Sequence, residues 1–168
     1  ILSVFDNEKR TALYWMNDAR TIPSYEASAP LKSILHWALK TYNKQMVHAA
    51  AIGRHDRGVV VVGKGGAGKS TIALSSLISS LYYAGDDYIL LGENGDPVVF
   101  SLYNSAKVEW DHLKKFPHLV EKVNKFGGYD HEKAIIFVND HYPEKVIGKM
   151  KIKAVLVPRI TGERSTKI

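Results

Sequence analysis

The chain has 168 residues, 45% of them apolar and 24% charged, which is the make-up of an ordinary globular chain rather than a disordered or fibrous one. Lys and Arg (23) outnumber Asp and Glu (17), for a net charge of +6 that favours anionic partners. There is no cysteine, which excludes a disulfide scaffold, a thiolate metal site and a cysteine nucleophile, and makes a cytoplasmic location the expectation.

In chain order, two apolar-rich runs (1–5 and 10–16) flank Asp6-Asn7-Glu8-Lys9 and predict a β-hairpin. A polar stretch containing Pro23 and Pro30 reads as a loop. Leu31, Ile34, Leu35, Ala38, Leu39 and Tyr42 then recur at helical spacing. Residues 46–52 look extended. Val59-Val60-Val61-Val62 has the pattern of a strand buried on both faces, and a mostly buried helix is predicted over 69–81. A strand over 81–84 ends in Gly85-Asp86-Asp87. Asn94-Gly95 marks a hairpin between 88–91 and 98–102. Residues 109–126 predict one or two helices broken near Pro117, and Gly127-Gly128 a break. Strands follow over 134–138 and 152–157, with a helix from about 143 to 150. The expectation is one domain over 1–168: a hairpin and helix (1–45) ahead of a core (46–168), with a C-terminal end that reads as incomplete.

No apolar run approaches the roughly 18–20 residues needed to cross a bilayer, so no membrane partner is expected. The basic residues are scattered, and the densest cluster, from Lys145 to Lys153, alternates with apolar positions. Solvated lysines explain it better than a nucleic-acid surface does.

The chemistry centres on Gly63-Lys64-Gly65-Gly66-Ala67-Gly68-Lys69-Ser70, which satisfies G-x-x-x-x-G-K-S between a buried strand and a helix. Its glycines let successive N–H groups curl around phosphate oxygens. Lys69 adds a mobile charge for the terminal phosphates, Ser70 offers a hydroxyl to Mg²⁺, and Thr71 closes the binding segment. The same letters fit G-x-G-x-x-G at Gly63, Gly65 and Gly68, with Asp86 and Asp87 near the place where a dinucleotide site wants an acid. Lys69-Ser70 has no role in that reading, and Asn94-Gly95 turns the chain back where a dinucleotide fold would continue with further strand–helix units.

Asp86 and Asp87 lie at the end of the strand after the loop's helix. Carboxyl ends of parallel strands share one edge, so an aspartate there faces the loop's phosphates. One carboxylate can hold Mg²⁺ with Ser70, and the other can accept a proton from an attacking hydroxyl. Adjacent residues on an extended strand point to opposite faces, so both serve one site only where the chain turns, and Gly85 offers such a turn.

His48-Ala49-Ala50, the strand into residues 63–70 and the early Gly85-Asp86-Asp87 pair resemble the HPr serine kinase/phosphorylase group, related in fold to phosphoenolpyruvate carboxykinases. Residues 99–108 and 156–162 look like a branch of small stand-alone homologues found beside lasso-peptide biosynthesis genes. The resemblance implies an α/β fold with a mixed β-sheet core and an ATP- and Mg²⁺-dependent serine kinase. The implied substrate is a peptide or protein, in that branch the C-terminal serine of a precursor peptide, and a homo-oligomer is a further implication. It also implies that Asp86 accepts the proton, that Asp87 joins Ser70 on the metal, and that His48 is an active-site histidine. Where the HPr enzymes carry a glycine-rich stretch with a glutamate, this chain has Phe100-Ser101-Leu102-Tyr103-Asn104-Ser105-Ala106-Lys107. Arg159, Arg164 and Lys107 are candidates to meet substrate or the transferred phosphate, with a solvated side chain as the alternative for Arg164 and Lys107. Three other activities stay open: an HPr-type carrier-protein kinase/phosphorylase, a non-catalytic ATP sensor, and a dinucleotide-binding oxidoreductase.

Overall fold

The computed structural model describes residues 1–124 and 133–160. The chain opens with the expected hairpin, β1 (Leu2–Asp6) and β2 (Thr11–Trp15), its turn held by Asp6 Oδ1, which accepts from the N–H groups of Glu8 and Lys9. The stretch read as a loop contains a short helix, α1 (Ser24–Ser28). The amphipathic helix is α2 (Lys32–Lys40), entered through Leu31 in the left-handed conformation. The extended segment over 46–52 is two strands rather than one, β3 (Gln45–Val47) and β4 (Ala50–Arg54), which lie at different places in the sheet.

Strand β5 (Arg57–Val61) leads into the glycine loop and helix α3 (Lys69–Ser75), and a 3₁₀ turn at Ser76–Ile78 replaces the helix's predicted last turns. Strand β6 (Tyr82–Gly85) and the hairpin β7 (Ile89–Asn94) and β8 (Asp96–Ser101) follow, with Gly95 at φ +75° between the hairpin strands. Strand β9 (Ser105–Glu109) has no counterpart in the sequence reading. Helices α4 (Trp110–Leu113) and α5 (Pro117–Val120) part at Pro117 as expected. Strand β10 (Lys133–Phe137) runs into the short helix α6 (Val138–His141), and β11 (Lys149–Leu156) ends the described chain. The helix expected from about 143 to 150 is a single 3₁₀ turn, Pro143–Lys145. Met150 instead pairs with Val99 as part of β11. The predicted Gly127-Gly128 break and Arg164 lie outside the described residues.

Seven strands form one mixed sheet in the order β3-β7-β8-β11-β5-β4-β6. β11 runs parallel to β5, while β4 runs antiparallel to both β5 and β6. β5, β6 and β11 therefore end at one edge of the sheet, and β4 begins there. That arrangement excludes the all-parallel doubly wound sheet of a dinucleotide fold.

Side chains alternate across this sheet, yet both faces are covered. Ala50, Ile52, Val61 and Tyr83 pack with Ala73, Leu74 and Leu77 of the α3 region and with Ala106 and Val108 of β9. On the other face Ala49, Ala51, Val60 and Ala84 meet Ile89 and Val99, so the sheet curls over a second small core. Two-sided burial is the reason that 59–62 is uniformly apolar. No helix among the described residues is long and apolar enough to cross a membrane.

Candidate active site

The glycine loop leaves the end of β5, and Asp86 and Asp87 leave the end of β6. Since β4 lies between them and runs the other way, His48, two residues before its start, comes to the same edge. Three segments distant in sequence thus converge by strand direction alone.

Within the loop, Gly66 and Gly68 adopt φ of +79° and +96°, the left-handed region open to glycine, and Gly68 is the residue from which α3 starts. Lys69 is buried. Its Nζ donates to the carbonyl oxygens of Gly63 (2.9 Å) and Lys64 (3.2 Å), folding the side chain back over its own loop.

Ser70 Oγ donates to Asp86 Oδ1 at 3.1 Å. This differs from the sequence expectation, which set Ser70 beside Asp87. Asp86 is only 1% exposed, and its Oδ2 is buried without a hydrogen-bond partner. Burial pushes the Asp86 carboxyl up to about 6, against the opposing hydrogen bond from Ser70, and the neighbouring charge of Asp87 adds to the rise.

Asp87 faces the other way from Asp86's pocket, into the cavity lined by Gly65, Gly66, Gly68, Lys69 and Ser70. The turn that separates the two carboxylates is made by Asp87 itself, at φ +65°, and not by Gly85. Gly85 is small for another reason, because a Cβ there would lie 2.9 Å from Ile89 Cγ2. Asp87 Oδ1 accepts from His48 Nε2 at 3.0 Å, and Oδ2 is ion-paired with Lys107 Nζ at 3.1 Å. His48 stacks at 5.6 Å on Tyr88, whose hydroxyl accepts from Lys32 Nζ. Desolvation holds the His48 imidazole below its usual range, opposed by Asp87 and reinforced by Lys69 and Lys107.

Lys107 arrives through β9. Tyr83, fully buried in β6, donates its hydroxyl to the Ser105 carbonyl at 2.9 Å and so fixes the start of that strand. Ala106 and Val108 then point into the core, which leaves Lys107 between them on the cavity side. An apolar–Lys–apolar alternation in 106–108 was the available signal for this strand, too short to separate from a loop.

Arg159 is not brought into the cavity. It is exposed three residues past the end of β11, on the correct edge of the sheet but not among the cavity-lining residues. Thr71 does line the cavity, as do Glu109, His112 and Lys133 from β9, α4 and β10, which the sequence did not single out.

No family model matches this chain, and no curated protein matches it in sequence. Among solved structures it is similar to the HPr(Ser) kinase/phosphatase from Coxiella burnetii, with 16% identity and a TM-score of 0.50 over 74% of this chain. The chain spans 64% of that protein's length. The fold of this chain is HPr kinase-like: an α/β fold with a curled mixed sheet and a glycine-rich loop between β5 and α3.

Proposed function

We propose that this protein is a Mg²⁺- and ATP-dependent kinase that transfers the γ-phosphoryl group to a serine hydroxyl of a peptide or protein. The observation that carries this reading is the division of labour between adjacent carboxylates. Asp86 is tied to the loop serine, and Asp87 is turned into the cavity that the loop glycines line. A nucleotide-binding protein that only senses ATP has no use for a second carboxylate turned into that cavity.

The residues fit the metal that such a reaction needs. Asp86 Oδ2 is a buried oxygen with no hydrogen-bond partner, beside a serine hydroxyl, and hard oxygen donors of this kind suit Mg²⁺. Among the described residues no group of three or more His, Cys, Asp or Glu could cage an ion, which suits a metal held largely by phosphate oxygens and water. Ser70 and Asp86 would hold it, and its chemistry would be to neutralise charge on the transferred phosphoryl group. This assignment exchanges the roles that the resemblance implies for Asp86 and Asp87.

The chain's own residues do the rest. Backbone N–H groups of residues 63–68 bind the phosphates, and Lys69 leaves the carbonyls of Gly63 and Lys64 to meet them. Asp87 accepts the proton as the serine oxygen attacks phosphorus, and His48 holds the carboxylate in place. The most specific acceptor in keeping with the sequence is the C-terminal serine of a lasso-peptide precursor. The experiment is mass spectrometry of candidate peptides after incubation with the protein and Mg²⁺-ATP. A gain of one phosphate on serine, absent with Asp87→Asn, is expected; tight ATP binding with no phosphorylated product would favour the sensor instead.

A further inference from the structure

We propose that Lys107 is a second phosphate-directed cation, which leaves Asp87 during transfer and follows the migrating phosphoryl group; this rests on the kinase reading above. Its position is set by the fold. The Tyr83–Ser105 bond fixes where β9 begins, and the burial of Ala106 and Val108 turns Lys107 toward the glycine loop. Its side chain is 16% exposed, and its ion pair with Asp87 lies inside the cavity and not on the protein surface. An isolated surface pair would say little, because such pairs contribute little. A lysine held against a carboxylate in a phosphate-sized cup is a different case.

Charge explains what Lys107 is for. The terminal phosphate must approach Asp87 closely enough for an oxygen to pass between them, and two anions at that distance repel unless a cation lies beside them. Lys69 comes from the start of α3 and Lys107 from β9, and both line the same cavity. In the transfer the bond between the γ-phosphorus and the β–γ bridging oxygen breaks, its electron pair staying on the departing diphosphate. The serine oxygen forms the new bond to phosphorus, and its proton passes to Asp87. As Asp87 is neutralised, its hold on Lys107 weakens while charge spreads over the equatorial phosphoryl oxygens. The ammonium therefore binds the transition state better than the ground state, which is the condition for a catalytic contribution.

The test uses aluminium fluoride, whose complex with ADP mimics the planar phosphoryl group and needs no acceptor peptide. Binding of Mg²⁺-ADP, with and without aluminium fluoride, is measured calorimetrically for the wild type, Lys107→Met, Lys107→Gln, Lys107→Arg and the double variant Asp87→Asn/Lys107→Met. Circular dichroism confirms folding, and the Met and Gln variants guard against the failure of either. The expected result is that ADP alone changes by less than about threefold, while the gain from aluminium fluoride falls at least ~10-fold in the Met and Gln variants and partly survives in Arg. The double variant should remain defective. Restored binding there would mean that Lys107 only neutralises Asp87, and an undiminished gain in the Met variant, or no gain in the wild type, would equally overturn the proposal. A wild type that binds no ADP at all would instead overturn the nucleotide reading itself.

Discussion

Ser70 Oγ donates to Asp86 Oδ1 across 3.1 Å, joining the first turn of α3 to the end of β6 in a place where water does not reach the carboxylate. An ionised group so enclosed costs stability. Its folded value of about 6 lies above the ordinary 3.8, so between those limits the folded state holds more protons than the unfolded one. Stability contributed at low pH is therefore lost as pH rises through about 6. The difference between those two values corresponds to about 3 kcal/mol. Asp86→Asn should make the ligand-free protein more stable than wild type at pH 7.5 by ~1–3 kcal/mol. That difference should shrink toward zero near pH 4, as read by urea unfolding across the range. A difference independent of pH would show that the charge of Asp86 is not what is buried there.

Asp87 holds a left-handed backbone conformation, φ +65°, that asparagine also tolerates. Asp87→Asn thus removes the proposed proton acceptor with little backbone cost, whereas Asp87→Ala would confuse the two effects. Phosphoryl transfer should fall by at least ~10² while affinity for Mg²⁺-ATP stays within a few-fold. Asp86→Asn should do the reverse to binding, weakening the Mg²⁺ requirement for tight nucleotide association. Single-turnover transfer and nucleotide titration on the two variants decide the matter. If Asp86→Asn abolishes transfer without touching Mg²⁺ dependence, the roles implied by the family resemblance hold and the exchange is wrong.

The loop glycines separate function from folding. A Cβ on Gly65 would meet no atom within 4 Å, and its backbone is not in the left-handed region, so Gly65→Ala should leave the melting temperature within about 2 °C of wild type. The methyl group would still intrude on the cavity that Gly65 lines, and under the proposed function ATP affinity should drop by about tenfold or more. Gly68→Ala has equally open space but sits at φ +96°, so it should cost about 1–2 kcal/mol of stability as well. Thermal melts paired with ATP titration check both. Equal destabilisation by the two variants would contradict the loop geometry.

Much of this site is legible in the sequence because local rules write it. The run 59–62, the glycine loop and the Asp86-Asp87 pair each carry their own signal within a few residues, and strand direction then forces them to one edge. The assignment of Ser70 to Asp86 could not be read, because it depends on which carboxylate the turn at Asp87 leaves inward. β9 was missed because an exchange of Ala, Lys and Val over three residues is equally a loop. Its strand identity comes from pairing with β10, register Ile135 to Lys107, and from the Tyr83 hydroxyl. Arg159 is a case where the sequence pattern says nothing of placement. A guanidinium near the end of a strand on the correct edge looks like a phosphate ligand, and the chain beyond Leu156 leaves its side chain exposed and outside the cavity lining. The helix expected over 143–150 failed because alternating Lys and apolar residues at 149–153 mark a strand whose neighbours, Val99 and Val60, lie elsewhere in the chain.

His48 reports on the charges around it and offers the last prediction. Its Nε2 lies 3.0 Å from Asp87, and desolvation is the largest influence on its proton, favouring the neutral imidazole. Asp87 pulls the other way, while Lys69 and Lys107 act with the burial. The histidine should therefore titrate below the usual 6.5 in the free protein, followed by its imidazole C–H resonances in NMR. Asp87→Asn, which removes the carboxylate that favours the proton, should lower the midpoint further, and Lys107→Met should raise it. A neutral His48 is also the form in which Nε2–H donates to Asp87 without itself bearing charge, so it orients the carboxylate without competing for the serine proton. His48→Phe should then reduce transfer by about tenfold with ATP affinity little changed, a loss that His48→Gln partly recovers by keeping an N–H donor. Midpoints that move in the same direction in the Asp87 and Lys107 variants would mean that these three side chains do not share one site in solution.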